Sequence, residues 1–169
     1  MSVHAFDQRE TILGQGSLGF ELAEQVDDLD TVLVPVGGGG LIAGVAAYLA
    51  GAARVIGVEP AEAPTLTRAL EAGRPVDAST GGIAADALAP RRIGELVYPI
   101  VSKYVHEALC VDDEAIRRAQ RALWDNARVI AEPAAAVGIA ALLTDAYEPR
   151  PGERLAVVIS GANTASKPA

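Results

Sequence analysis

Short apolar runs alternate along the chain with segments of helical periodicity. Continuous apolar stretches at residues 31–36 (TVLVPV), 54–58 (RVIGV), 107–111 (EALCV) and 155–160 (LAVVIS) predict buried strands. Between the first three of them, residues 41–51 and 63–72 predict helices, and the second helix is expected to end at Gly73, a favourable C-cap residue. Strands that alternate with helices are typical of an α/β fold with a parallel sheet.

Three more helices are predicted outside this central stretch. Leu18, Leu22 and Val26 mark a helix before the first strand, which Gly16 and Ser17 could begin. A second helix follows Asp112, where a cluster of acidic residues suits the positive end of a helix dipole. The third opens at residues 132–133 and is rich in alanine through residue 143.

The chain shows no internal repeat and no linker, so we expect residues 1–169 to form a single domain. Its predicted architecture is α/β, a mainly parallel twisted sheet with helices on both faces. Residues 73–90 are rich in Gly, Ala, Pro and Ser and predict a long loop, and loops of that length inside compact domains are often functional.

Composition narrows the possible partners. Hydrophobic residues make up 50% of the chain and aromatic residues 4%, which favours a core of small aliphatic side chains around a buried sheet. The formal net charge of −8 would repel nucleic acid. No segment resembles a secretory signal or a membrane span, and the lone Cys110, which we expect to be buried, cannot form an internal disulfide. A cytoplasmic location is the expectation.

The sharpest chemical feature is a run of four glycines between a predicted strand and a predicted helix, Gly37, Gly38, Gly39 and Gly40. Consecutive backbone amides at the start of a helix can bind one anion, and phosphate is the natural guest. Two alternatives remain open. The run could be a tight turn without a ligand, or, with Ala43 and the acidic Glu59, part of a dinucleotide-binding fingerprint.

The segment 35–44 (PVGGGGLIAG) resembles the phosphate-binding loop of fold-type II pyridoxal-phosphate (PLP) enzymes, especially threonine and serine dehydratases and serine racemase. Five further segments resemble the same family and occur in its order: HAFDQRETILGQGSLGFELAEQ (4–25), GVEPAEAPTL (57–66), GGIAADAL (81–88), AEPAAAVGIAAL (131–142) and ISGAN (159–163). The resemblance therefore covers almost the whole chain.

This resemblance implies roles for particular residues. The four glycines and the amide of Leu41 would hold the cofactor phosphate, and Ser160 would face the pyridine nitrogen, although Ser160 could also be an ordinary small residue before a turn. Glu132 would lie near the cofactor ring or, alternatively, cap its helix. The resemblance also implies a divalent cation such as Mg²⁺ at Glu59 and the carbonyl of Ala63, but the usual acidic third position holds Thr65.

The implied activity is that of a hydroxyamino-acid ammonia-lyase, which converts L-threonine to 2-oxobutanoate and L-serine to pyruvate with release of ammonia. In the family the lysine that forms the Schiff base lies in an S-x-K-x-R-G segment, and neither Lys103 nor Lys167 has that context. We therefore expect the chain to be the C-terminal part of the catalytic large domain, inactive by itself, with an amino-acid substrate and a dimeric parent enzyme. A serine racemase-like enzyme and a non-catalytic assembly module are the alternatives.

Overall fold

A sheet of four parallel strands forms the centre of the protein, which a computed structural model describes for residues 3–88 and 90–164. The strands are β1 (Thr31–Pro35), β2 (Arg54–Pro60), β3 (Val105–Val111) and β4 (Leu155–Val157). Their order in the sheet is β3-β2-β1-β4, and every neighbouring pair is parallel. The predicted α/β class and the parallel sheet are confirmed.

Seven helices surround the sheet in the described part of the chain. They are α1 (Arg9–Gln25), α2 (Gly40–Leu49), α3 (Thr65–Ala72), α4 (Ala85–Leu88), α5 (Tyr98–Tyr104), α6 (Asp113–Ala127) and α7 (Pro133–Leu143). The carboxylate of Asp112 caps α6 by accepting a hydrogen bond from the amide of Ala115 at 2.7 Å. Among the described residues, no helix is both long enough and apolar enough to cross a membrane.

The sheet has a separate apolar core on each face, because successive side chains of a strand point in opposite directions. Val32 and Val34 of β1 pack on the side of α1, α2 and α5, whereas Leu33 packs on the side of α6 and α7. All three side chains are completely buried. Burial on both faces explains why β1 is a continuous apolar run and confirms the predicted helices on both faces.

Several predicted boundaries are wrong. Helix α1 begins at Arg9 and not near Gly16, because Gly16 lies inside the helix where it packs closely on Gly44 of α2. The predicted loop at residues 73–90 contains the short helix α4, and α5 was not predicted. The last strand is shorter than predicted and ends at Val157. Cys110 is exposed, because β3 is an edge strand of the described sheet.

Candidate functional site

The glycine loop, Gly37 to Gly40, lies at the carboxyl end of β1, where the order of the strands reverses. The chain leaves β1 toward β2 on one side, and β4 lies on the other side of β1. In open parallel sheets, ligands bind in the crevice outside the strand ends at such a switch point. A cleft of about 190 Å³ opens there, and the four glycines, Leu41 and Ser160 all line it. The structure thus brings the loop and Ser160 together at one cleft.

The loop presents five consecutive backbone amides without an acceptor. None of them donates a hydrogen bond to a described residue; they belong to Gly37, Gly38, Gly39, Gly40 and Leu41. The four glycines are buried from solvent. Leaving buried amides unpaired is costly, and amides at the start of a helix favour an anion, so this arrangement is suited to a phosphate group.

Two carbonyls of the same loop accept hydrogen bonds from residues outside the loop. The hydroxyl of Thr65 donates to the carbonyl of Gly37 at 2.7 Å, and the amide of Gly94 donates to that of Gly38 at 3.1 Å. Because the C=O and N–H of one peptide unit point in opposite directions, anchored carbonyls turn the following amides the other way. Gly39 has a φ of 87°, a left-handed conformation that a glycine adopts without strain.

Phe6 lies over the loop, and sequence reasoning gave it no role. A Cβ atom at Gly38 would come within 2.3 Å of the Phe6 ring, so only glycine fits at this position. The neighbouring carboxylate of Asp7 accepts hydrogen bonds from the amides of Glu95 at 3.0 Å and Leu96 at 2.8 Å. These bonds fasten the N-terminal segment beside the cleft. The resembling segment 4–25 contains Phe6, but no residue pattern in it indicates a contact with a glycine loop.

Glu132 lines an adjacent cleft together with Asp86 and Asn163. It stands at the N-cap of α7, yet its side chain makes no capping hydrogen bond. Its Oε1 instead lies against Gly161, where an added Cβ would come within 2.2 Å of that oxygen. Ala87 lines both this cleft and the cleft of the glycine loop. The side chain of Glu132 therefore lies in the adjacent cleft and does not cap its helix.

Glu59 is fully buried, and its carboxylate is hydrogen-bonded to the first turn of α3. Its carboxylate oxygens accept hydrogen bonds at 2.6–2.9 Å from the amides of Leu66 and Thr67 and from the hydroxyl of Thr67, and the hydroxyl oxygen of Thr65 lies 3.0 Å away. Burial raises the pKa of the Glu59 carboxyl, although the hydrogen bonds from Leu66 and Thr67 act in the opposite direction. A dinucleotide ribose could not reach this buried carboxylate, which counts against that alternative.

The divalent cation predicted at Glu59 and Ala63 does not fit this geometry. An ionised carboxylate has about four lone-pair positions, and three donors together with the Thr65 hydroxyl oxygen already occupy the space around that of Glu59. The carbonyl of Ala63 accepts a hydrogen bond from the amide of Thr65 at 3.1 Å. Among the described residues, no group of three or more His, Cys, Asp or Glu side chains could hold a metal ion.

Lys103 lines none of the three clefts at the glycine loop, Glu132 and Phe6. Lys103 is exposed on α5, and its Nζ lies 4.7 Å from the ring centroid of Tyr104. Lys167 lies outside the described residues. No lysine lines the clefts that contain the glycine loop, Glu132 or Phe6, as far as the described residues extend.

Comparison with known proteins places these features in context. The profile of a family described as "Pyridoxal-phosphate dependent enzyme" matches residues 1–161. The L-threonine dehydratase biosynthetic IlvA of Pasteurella multocida is 41% identical over 162 residues, which make up 94% of this chain and 32% of the dehydratase. The chain therefore spans about a third of the length of that relative.

Solved structures share the fold of the chain. A threonine deaminase from T.th. has a TM-score of 0.89 at 36% identity, and the match covers 98% of this chain and 61% of that one. The serine racemase of Dictyostelium discoideum also has a TM-score of 0.89, at 31% identity, and the match covers 97% of this chain and 53% of the racemase. In each pair, much of the similar protein has no counterpart in the chain described here.

Proposed function

We propose that the glycine loop binds the phosphate of pyridoxal 5′-phosphate, because the chain belongs to the family of pyridoxal-phosphate dependent enzymes. The observation that carries this proposal is the row of five backbone amides without a described acceptor at the start of α2. The loop itself contains no cationic side chain. The amides and the helix dipole must therefore supply the attraction for the dianionic phosphate.

The other predicted residues would orient the cofactor ring. Ser160 follows β4 and lines the same cleft as the loop, so its hydroxyl is available to face the ring nitrogen. A hydroxyl leaves that nitrogen largely neutral, whereas a carboxylate would keep it protonated. When bound, the cofactor supplies a ring that withdraws electrons from the substrate. Glu132 lines the adjoining cleft, which shares Ala87 with the cleft of the loop, and would approach the same ligand from the side of α7.

For the whole protein we propose a hydroxyamino-acid ammonia-lyase, a lyase that deaminates L-threonine to 2-oxobutanoate and L-serine to pyruvate. The threonine dehydratase and threonine deaminase relatives support it. The Dictyostelium serine racemase supports a second candidate, the interconversion of the serine enantiomers. Incubation with L-serine separates the two, since the lyase releases pyruvate and the racemase yields D-serine. The cytoplasmic location, the dimer and the arrangement of residues 1–169 as part of a larger catalytic domain stay predictions.

Cofactor binding by the chain tests the proposal directly. We expect PLP to bind saturably, inorganic phosphate to compete with it, and pyridoxal, which lacks the phosphate, to bind at least about tenfold more weakly because it forms no contact with the loop amides. The measurement is equilibrium dialysis followed by the absorbance of the cofactor, with NAD as the control ligand for the dinucleotide alternative. Equal affinity for PLP and pyridoxal would contradict a phosphate site at the loop.

A second measurement tests whether a lysine of the chain forms a covalent bond with the cofactor. Since no lysine lines the described clefts, we expect PLP to be removed fully by dialysis, and borohydride treatment to leave no cofactor attached to the chain. We also expect no keto acid to form from L-threonine. Cofactor retained on Lys103 after borohydride treatment, and lost in Lys103→Arg, would show that a lysine of this chain does carry the cofactor. Binding without turnover would match the alternative of a non-catalytic module for the chain by itself.

A further inference from the structure

The segment after β2 is linked to the glycine loop by one buried side chain. The hydroxyl of Thr65 donates to the carbonyl of Gly37 at 2.7 Å, across 28 residues of sequence. Both residues are buried, and Thr65 has no exposed surface. We propose that Thr65 is a positioning residue that sets the direction of the loop amides, an inference that rests on the proposed phosphate site.

The geometry of the peptide unit explains how Thr65 would act. The carbonyl of Gly37 and the amide of Gly38 belong to one planar unit and point in opposite directions. A donor that fixes the carbonyl therefore fixes the amide as well. Gly37 and Gly38 are flexible residues without side chains, so the loop cannot hold this orientation through its own packing. Thr65 supplies the constraint from outside the loop.

Glu59 holds Thr65 in the required place. The Glu59 carboxylate accepts the amide of Leu66 at 2.6 Å and lies 3.0 Å from the Thr65 hydroxyl. The shorter of the two Thr65 contacts is the one to Gly37, so the single hydroxyl proton is directed toward the loop. The carboxylate therefore fixes the first turn of α3, and Thr65 carries that fixed position to Gly37.

The chemistry of position 65 matters for the same reason. Gly37 offers a carbonyl oxygen, which needs a donor, and a threonine hydroxyl provides one. An ionised carboxylate at this position would only accept hydrogen bonds and would face both the Gly37 carbonyl and Glu59. The residues at which the resemblance implies a cation site thus form a hydrogen-bonded link between α3 and the loop.

Thr67 offers a matched control, because its hydroxyl is likewise close to Glu59, to which it donates at 2.9 Å, but forms no hydrogen bond with the loop. The variants are Thr65→Val, which keeps the shape without the hydroxyl, Thr65→Ala in case valine disturbs folding, Thr65→Ser, which keeps the hydroxyl, and Thr67→Val. We expect the dissociation constant for PLP to rise about tenfold in Thr65→Val and Thr65→Ala, the equivalent of one buried hydrogen bond. Thr65→Ser and Thr67→Val should stay within about threefold of the unmodified chain.

A measurement on the cofactor-free chain keeps the two proposals separate. Backbone ¹⁵N relaxation should show the order parameter of the Gly38 amide falling from about 0.85 toward 0.6 in Thr65→Val, and unchanged in Thr67→Val. Equal effects of Thr65→Val and Thr67→Val in both measurements would overturn the positioning role. If the unmodified chain does not bind PLP, the proposed function fails, and the order parameter of Gly38 still decides whether Thr65 fixes the loop.

Discussion

The carboxylate of Glu153 is the clearest electrostatic feature outside the candidate site, and changing it to glutamine gives a sharp prediction. Its side chain is only 1% exposed, and its Oε1 accepts hydrogen bonds at 2.5 Å from the hydroxyls of Thr31 and Tyr147. Its Oε2 accepts the amide of Arg150 at 2.7 Å. Burial by itself would raise the pKa of Glu153, but these hydrogen bonds and the charge of Arg150 outweigh it and lower the pKa to about 2.

The size of the effect follows from this pKa. A carboxyl group that titrates at 4.5 when unfolded and at about 2 when folded stabilises the folded state by about 3 kcal/mol at neutral pH. Because the folded pKa is the lower one, this stabilisation is complete above pH 4.5 and disappears as the pH falls from 4.5 to about 2. Glu153→Gln keeps the volume of the side chain and removes its charge, so it should lose this contribution.

Urea unfolding followed by far-ultraviolet circular dichroism at a series of pH values between 7 and 3 measures the difference. We expect Glu153→Gln to be about 3 kcal/mol less stable than the unmodified chain at neutral pH, and the gap to narrow steadily below pH 4.5. Glu71→Gln is the control, since Glu71 is an exposed partner of Arg68 and should matter by less than about 0.5 kcal/mol. A gap that does not change with pH would refute the role of the ionised carboxylate.

Three further outcomes are expected. Gly38→Ala should weaken the binding of PLP at least about tenfold in equilibrium dialysis, because the added methyl group would collide with the ring of Phe6 and displace the loop. Unchanged affinity would contradict the close contact between Gly38 and Phe6. Ser160→Ala should weaken PLP binding and leave competition by inorganic phosphate unchanged, since Ser160 is assigned to the ring and not to the phosphate; a parallel loss of both would argue against that assignment. Asp112→Ala should destabilise the chain to urea by about 1 kcal/mol without altering PLP affinity, because it removes only the cap of α6.

The parts of the fold that the sequence predicts correctly are those in which a local pattern has one structural cause. A strand buried on both faces must be apolar throughout, and β1 and β2 show this directly. Gly73 ends α3 in the left-handed conformation, as expected of a glycine C-cap. The loop that follows β1 is likewise local, since its position between a strand and a helix can be deduced from neighbouring residues alone.

The features that were missed depend on contacts between distant segments. Phe6 reaches Gly38, and Thr65 reaches Gly37, through packing that no periodicity reveals. Helix α5 is a short helix with a proline at its second position. It is too short for its sequence to show a clear helical periodicity. Glu59 directly follows a predicted strand, where an acidic residue suggests a ligand contact, but its carboxylate accepts hydrogen bonds from the first turn of α3 instead.

The pairing of β4 with β1 has a consequence for how the protein matures. Thr31 pairs with Leu155, so the two walls of the cleft come from segments that are far apart in the sequence. During synthesis, the glycine loop leaves the ribosome long before Ser160, and Ser160 joins the loop only when β4 docks on β1. A cofactor that contacts both walls would therefore bind the docked sheet in preference to the open one and shift that late equilibrium in proportion to its free concentration. The supply of pyridoxal 5′-phosphate would then influence how much of the protein reaches the folded state.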